Sequence, residues 1–95
     1  MKIYYEGMRK NKYSYSQLIH AKDHSIYNRD DLYRSIICGC YHCVTIFFSS
    51  EIREWKDNNQ TGICPFCKED SLLDKSSEYP LGKDFLLAMK KYWYN

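Results

Sequence analysis

The sequence predicts a small α+β domain in which two short cysteine turns hold an inserted helix, a short hairpin and a C-terminal helix. Three observations predict it: two Cys-x-x-Cys pairs, a β-branched and aromatic run after the first pair, and an amphipathic stripe near the C-terminus. Among small folds, this order is typical of a zinc-ribbon or treble-clef-like domain.

Size and composition limit the chain to one small domain. It has 95 residues, of which 44% are hydrophobic and 17% aromatic, which argues against disorder. The net charge of +2 is unevenly distributed, with +3 over residues 1–37, −3 over 38–81 and +2 over 82–95. The total excludes neither nucleic acid nor protein partners, and the cysteine-containing part is the acidic one.

The cysteine pairs predict a metal site formed by Cys40, Cys43, Cys64 and Cys67. Twenty residues separate the two pairs, and each pair can fold into a turn that presents two sulfurs to one tetrahedral ion. Zinc is the expected cofactor, in a closed structural site with no position left for a reacting water.

Two neighbours of the first pair complicate this assignment. Cys38 adds a third candidate thiol, but its spacing to Cys43 is too wide for a simple turn, so we expect a buried free thiol or a neighbour of the ligands. His42 lies between two ligands and is the minor alternative, in a site of three cysteines and one histidine.

The N-terminal part predicts an arm followed by two helices. Residues 1–13 form a basic, aromatic arm, and residues 14–95 form one zinc-stabilised domain. Helices are expected over Ser14–Lys22 and Arg29–Ile36, with Asn28 as the N-cap of the second. His20 and His24 are four residues apart, but no acidic or cysteine partner accompanies them at motif spacing, so we interpret them as surface or core histidines.

The central part predicts a strand, a helix and a turn between the two cysteine pairs. Val44–Phe48 is β-branched and aromatic, which favours a buried strand. Ser50–Lys56 places Ile52 and Trp55 at i and i+3, which predicts the inserted helix. Asp57–Gln60 contains turn formers that end it.

The C-terminal part predicts three further elements. Thr61–Ile63 is an extended segment that leads into the second cysteine pair, and Ser71–Leu73 is a strand that pairs back. A last helix begins at Lys83 or Asp84, with its apolar stripe expected in the core.

Targeting signals are not evident in the sequence. No stretch approaches the ~20 apolar residues of a membrane helix, and the first residues lack the apolar region of a signal peptide. We therefore expect a reducing cytoplasm, where five cysteines serve a metal more readily than disulfides, and no membrane partner.

Several motifs together resemble a family of small bacterial cytoplasmic zinc-finger-like proteins. They are Cys38-Gly39-Cys40-Tyr41-His42-Cys43, Phe48–Ile52 with Trp55, Thr61–Cys67, Asp70–Leu73, and Tyr79–Leu81 with Phe85, Leu86, Met89 and Trp93. The resemblance covers residues 24 to 93 and implies the same four paired cysteines. Lys68 departs from it, since a glycine is expected after the second pair, and the N-terminal arm has no match.

For function, the sequence favours a non-enzymatic module that binds another protein. The acidic cysteine part, the many tyrosines and the absence of a convergent acid, base and nucleophile set support this hypothesis, and an immunity or antitoxin-like protein is one specific form. The alternative is a nucleic-acid-binding protein that uses the basic arm. A second alternative is a thiol-disulfide redox protein, because Cys64-Pro65-Phe66-Cys67 resembles an oxidoreductase motif.

Overall fold

The structure is a computed structural model that describes residues 13–76 and 78–94. Its elements, in chain order, are α1 (Tyr15–Lys22), a 3-10 turn (Asp23–Ser25), α2 (Arg29–Ser35), β1 (Ile37–Cys40), β2 (Thr45–Phe48), a second 3-10 turn (Ser49–Glu51), β3 (Glu54–Lys56), β4 (Thr61–Ile63), β5 (Leu72–Asp74) and α3 (Lys83–Trp93). The predicted α+β class is confirmed. The predicted arm lies outside the described residues except for Tyr13, and the division at residue 13 stays a prediction.

Helix α1 forms where the sequence predicts it, because its first turn caps itself. The hydroxyl of Ser14 accepts a hydrogen bond from the backbone N–H of Gln17, and the Gln17 side chain accepts one from the N–H of Ser14, both at 3.1 Å. This reciprocal pair satisfies two of the donors that a helix start leaves free. Leu18 and Ala21 are buried against α3.

Asn28 precedes α2 as predicted, but its side chain does not cap the helix. The Asn28 amide donates to the backbone carbonyls of His24 and Leu72 at 2.8 and 3.1 Å, and its oxygen accepts from the N–H of Gly62 at 3.1 Å. A buried amide needs such partners, because each unpaired polar group is costly away from water. Asn28 therefore joins α2 to both sheets instead of capping α2.

The main sheet is antiparallel, in the order β2-β1-β5, and it separates two apolar clusters. Gly39, which faces Leu73 and Ile46 across the sheet, lies on the side covered by α1 and α3. Cys38 and Cys40 alternate with Gly39 and face the other side, with Leu32, Phe47 and Leu72. Period-two alternation along β1 thus assigns one face of the sheet to the helices and the other to the cysteines.

The helix predicted over Ser50–Lys56 is wrong. The chain makes one 3-10 turn and then extends into β3, which pairs antiparallel with β4. Ile52 and Trp55 still point inward, because their spacing also fits a bend followed by a strand. Pairing with Thr61–Ile63 provides interstrand hydrogen bonds along β3, and this tertiary contact outweighs a short helical pattern. The turn predicted at Asp57–Gln60 is confirmed.

The strand predicted over Val44–Phe48 is confirmed as β2, but the prediction that this strand is buried is wrong. Phe47 is buried, whereas Ile46 is 37% and Phe48 57% exposed. Ile46 and Phe48 are exposed because β2 is at the edge of the sheet. On the face that contains Gly39, Leu81 and Leu86 cover the sheet only above Gly39 itself. Part of the apolar face of the sheet therefore remains open to solvent.

Helix α3 forms as predicted and lies across the sheet. Phe85, Leu86 and Met89 are fully buried. A Cβ atom built on Gly39 would lie 2.8 Å from Cδ1 of Leu86, so the missing side chain at Gly39 allows the helix to approach closely. No helix in the described part of the chain is long and apolar enough to cross a membrane.

Candidate metal centre

The first cysteine pair forms the turn of the β1–β2 hairpin. Cys40 ends β1, and the backbone N–H groups of His42 and Cys43 point at its sulfur at 3.3 and 3.5 Å. Hydrogen bonds of this kind stabilise negative charge on a ligating sulfur and fix its direction. The turn is therefore arranged to present Cys40 and Cys43 on one side.

The second pair follows β4 and repeats the same geometry. The N–H of Phe66 lies 3.4 Å from the sulfur of Cys64, and the N–H of Lys68 donates to the Cys64 carbonyl at 2.9 Å. Cys64 in turn donates its N–H to the carbonyl of Glu69. This closed turn explains why Pro65, which fixes φ and has no N–H, fits inside it.

The structure brings the four predicted cysteines together. Their sulfurs all lie within 4.8 Å of one another, and two separations across the pairs are 3.5 Å (Cys40 to Cys67) and 3.8 Å (Cys43 to Cys64). A tetrahedron with metal–sulfur bonds of about 2.3 Å has edges of about 3.8 Å, whereas a disulfide bond is about 2.05 Å long. The cluster therefore fits one four-coordinate metal ion, and all five cysteines are free thiols. Their role as metal ligands stays a prediction.

Burial acts against deprotonation of two of these thiols when no metal is bound. Burial raises the pKa of Cys40, and it raises the pKa of Cys67 to about 11. At Cys43 burial is outweighed by hydrogen bonds with Thr45 and the neighbouring thiols, which lower its pKa. Four adjacent thiolates would repel one another unless a divalent ion offset their charge, so metal binding and thiol deprotonation are coupled here.

Cys38 and His42 lie outside this cluster. Cys38 is buried two residues before Cys40, and burial raises its pKa to about 12, as expected for a free thiol in the core. The His42 ring packs edge-on against Tyr94, and no group in the described ranges hydrogen-bonds its Nδ1. The site with three cysteines and His42 therefore has no support in the geometry.

Several contacts of the centre were not evident from the sequence. The hydroxyl of Ser71 lies 3.1 Å from the sulfur of Cys40, and that of Thr45 lies 3.3 Å from Cys43. Lys90 donates to the carbonyl of His42 at 2.6 Å, and the Tyr94 hydroxyl donates to Glu69 at 3.4 Å. The end of α3 thus contacts both cysteine turns. Thr45 follows Cys43 by two residues, but no sequence motif indicates Ser71 or Lys90.

Lys68 occupies a position that favours glycine, which gives a direct test of the turn. Its φ is 70°, in the left-handed region, where a residue with a side chain loses about 1–2 kcal/mol. We expect Lys68→Gly to stabilise the zinc-loaded protein by about 0.5–1 kcal/mol, after the greater flexibility of glycine in the unfolded chain is counted. Urea unfolding measures the change.

The control for this variant is Lys68→Ala. It also removes the exposed contact between Lys68 and Glu54, which is worth little at 3.4 Å, but it keeps the Cβ atom. Equal stability of the glycine and alanine variants would contradict the proposed backbone strain.

Comparisons of the chain with protein-family models, with curated proteins and with solved structures give no match. The resemblance to a bacterial family therefore stays a prediction, and the fold and the four-cysteine cluster carry the functional argument.

Proposed function

We propose that the chain is a non-enzymatic zinc-binding module that binds another protein through an exposed part of its main sheet. The metal part rests on the four clustered sulfurs, a donor set that favours zinc or iron over magnesium or calcium. Zinc is preferred over iron because Zn²⁺ has no redox chemistry, so its binding does not depend on the oxidation state of the metal. A purified protein that is colourless and contains one zinc per chain supports this part, and a red iron form overturns it.

The binding part rests on one observation, a cluster of exposed apolar side chains that share one face of the sheet. We call Ile37, Ile46 and Phe48 the apolar patch. Ile37 lies directly opposite Phe48 in the register of β1 and β2, and Ile46 is opposite Gly39 two residues further along β1. Their exposed fractions are 39%, 37% and 57%. Adjacent exposed apolar side chains of this kind are typical of interaction surfaces.

Backbone geometry next to the patch supports the same proposal. Ile36 has a φ of 68° and is 64% exposed. Ile36 is the C-cap of α2, and its carbonyl accepts a hydrogen bond from the N–H of Ser49 at 2.7 Å, so the chain turns sharply here from the helix into β1. This turn leaves the Ile36 side chain in solvent next to the patch, where a partner could contact it.

Charge indicates the kind of partner. The part of the chain that contains β1 to β5 has a net charge of −3 before any thiolate is counted. Glu51 lies beside the patch, where its carboxylate accepts from the N–H of Phe48 at 3.2 Å. An apolar patch with Glu51 at its edge, in an acidic part of the chain, fits a basic protein, and an antitoxin or immunity-like role is the specific form of this proposal.

The test is affinity purification from the native cytoplasm at low salt, with nuclease added to remove nucleic-acid bridges. We expect a basic protein to be recovered with the wild type and lost with the double variant Ile46→Ser/Phe48→Ser. Tyr27→Ser is the matched control, because Tyr27 is 66% exposed and contacts β4. Equal recovery with all three forms, or recovery only without nuclease, would overturn the proposal.

The redox alternative finds less support. Motifs of that type activate a thiol at a helix N-terminus, whereas residues 68–71 are not helical and the next helix begins at Lys83. The nucleic-acid alternative depends on the basic arm, most of which lies outside the described residues.

A further inference from the structure

A histidine far from the cysteines is held between two carboxylates. His24 lies in the 3-10 turn after α1, with its Nδ1 2.9 Å from a carboxylate oxygen of Asp74 and its Nε2 3.0 Å from one of Glu78. Asp74 ends β5, and Glu78 belongs to the segment before α3. One imidazole therefore joins the turn after α1 to two carboxylates that lie 50 and 54 residues further along the chain.

Asp74 makes this contact strong because its side chain is only 9% exposed. The Tyr79 hydroxyl donates to that carboxylate at 2.8 Å and to the Asp74 carbonyl at 2.9 Å. Burial raises the pKa of Tyr79, so its hydroxyl stays neutral and adds no negative charge beside Asp74. Among the described residues, His24 is the cationic group within ion-pair distance of Asp74 and Glu78.

The surrounding charges act in the same direction. The edge of the His24 ring packs on Tyr79, with ring centroids 5.2 Å apart. His20 of α1 and Asp23 of the same 3-10 turn line a surface cleft together with Glu78, and Asp31 of α2 acts electrostatically on Tyr79. Of these carboxylates, Asp74 and Glu78 contact the imidazole itself, and they favour its charged form.

Only a protonated imidazole satisfies both contacts. With two protons, both ring nitrogens donate to a carboxylate, whereas a neutral ring donates through one nitrogen and turns a lone pair toward the other carboxylate. We propose that His24 is a pH-responsive latch, which ties the Asp23–Ser25 turn to β5 and Glu78 when it carries both protons and releases Glu78 when it loses one.

The sign of the pH effect follows from the same contacts. Burial lowers the pKa of His24, but its hydrogen bonds with Glu78 and Asp74 and the charges of both carboxylates outweigh burial, so the pKa lies above 6.5. A group whose pKa is raised by folding stabilises the folded protein fully at pH values below its ordinary pKa. This stabilisation is lost as the pH rises through the pKa that the group has in the folded state. The latch is therefore closed below the ordinary pKa of histidine and opens as the pH rises through the raised pKa of His24.

The first measurement is an NMR titration of the zinc-loaded protein, which follows the His24 ring protons from pH 5 to 9. We expect a midpoint above 6.5 that decreases in Glu78→Gln, an exposed substitution that leaves the core intact. The protection factors of the amides of residues 23–25 and 78–79, which correct for the base-catalysed intrinsic exchange rate, are expected to fall above the same midpoint. A wild-type midpoint at or below 6.5, or one that Glu78→Gln does not change, would overturn the latch.

The second measurement is the urea midpoint of the wild type and of His24→Gln between pH 5.5 and 8.5. Zinc binding depends on pH in both proteins, so their difference isolates the latch. We expect the wild type to lose its advantage over His24→Gln as the pH rises, while His20→Gln, from the same cleft, follows the wild type. An advantage that is constant with pH would contradict the proposal, and the NMR titration decides it if His24→Gln does not fold.

Discussion

Replacing Cys64 with Ser is expected to abolish folding of the domain rather than only its metal binding. Cys64 is fully buried, its sulfur lies 3.8 Å from that of Cys43, and it belongs to the apolar cluster under the sheet. A structural zinc site contributes about 10 kcal/mol or more of apparent binding free energy, which is comparable with the ~5–15 kcal/mol net stability of a whole domain. Circular dichroism and zinc content of the purified variant measure both effects.

Cys38→Ala is the matched control for that experiment. Cys38 is equally buried and lies on the same face of β1 as Cys40, but it is outside the metal cluster. We expect this variant to fold and to retain one zinc per chain. A folded, zinc-free Cys64→Ser protein would contradict the requirement of zinc for folding, and a Cys38→Ala protein that loses its zinc would contradict the assignment of the four ligands.

Replacing Leu86 with Ala is expected to destabilise the protein by about 3 kcal/mol, within the ~2–5 kcal/mol range for a buried leucine. Leu86 is fully buried and packs over Gly39, where α3 approaches the sheet. The cavity lies on the helical side of the sheet, away from the cysteines, so we expect one zinc per chain to remain. Urea unfolding of the zinc-loaded variant measures the loss.

Leu87→Ala is the control, because it makes the same chemical change one residue later in the same helix. Leu87 is 43% exposed, so its truncation is expected to cost well under 1 kcal/mol. Similar losses for the two variants would show that α3 does not pack on the sheet through the stripe that contains Leu86.

Signals that lie within a few residues of one another predicted much of this protein. The capping pair of Ser14 and Gln17 fixes the start of α1, and the stripe of Phe85, Leu86 and Met89 defines the buried face of α3. The spacing of the cysteines was enough to predict which four sulfurs meet, because each Cys-x-x-Cys turn is determined locally. The expectation that glycine is preferred at Lys68 agrees with its positive φ.

Contacts outside each segment decided the rest. Residues 54–56 form a strand instead of a helix because β4, across a four-residue turn, supplies a partner, and β2 is partly exposed because the helices cover the sheet only over Gly39. His24 has no acidic partner at motif spacing, yet the fold places Asp74 and Glu78 against it. The sequence by itself determined α1, α2, α3 and which four cysteines come together, since their signals are local. Only the tertiary structure decided the strand partners, the apolar patch and the environment of His24, because pairing and burial depend on residues outside each segment.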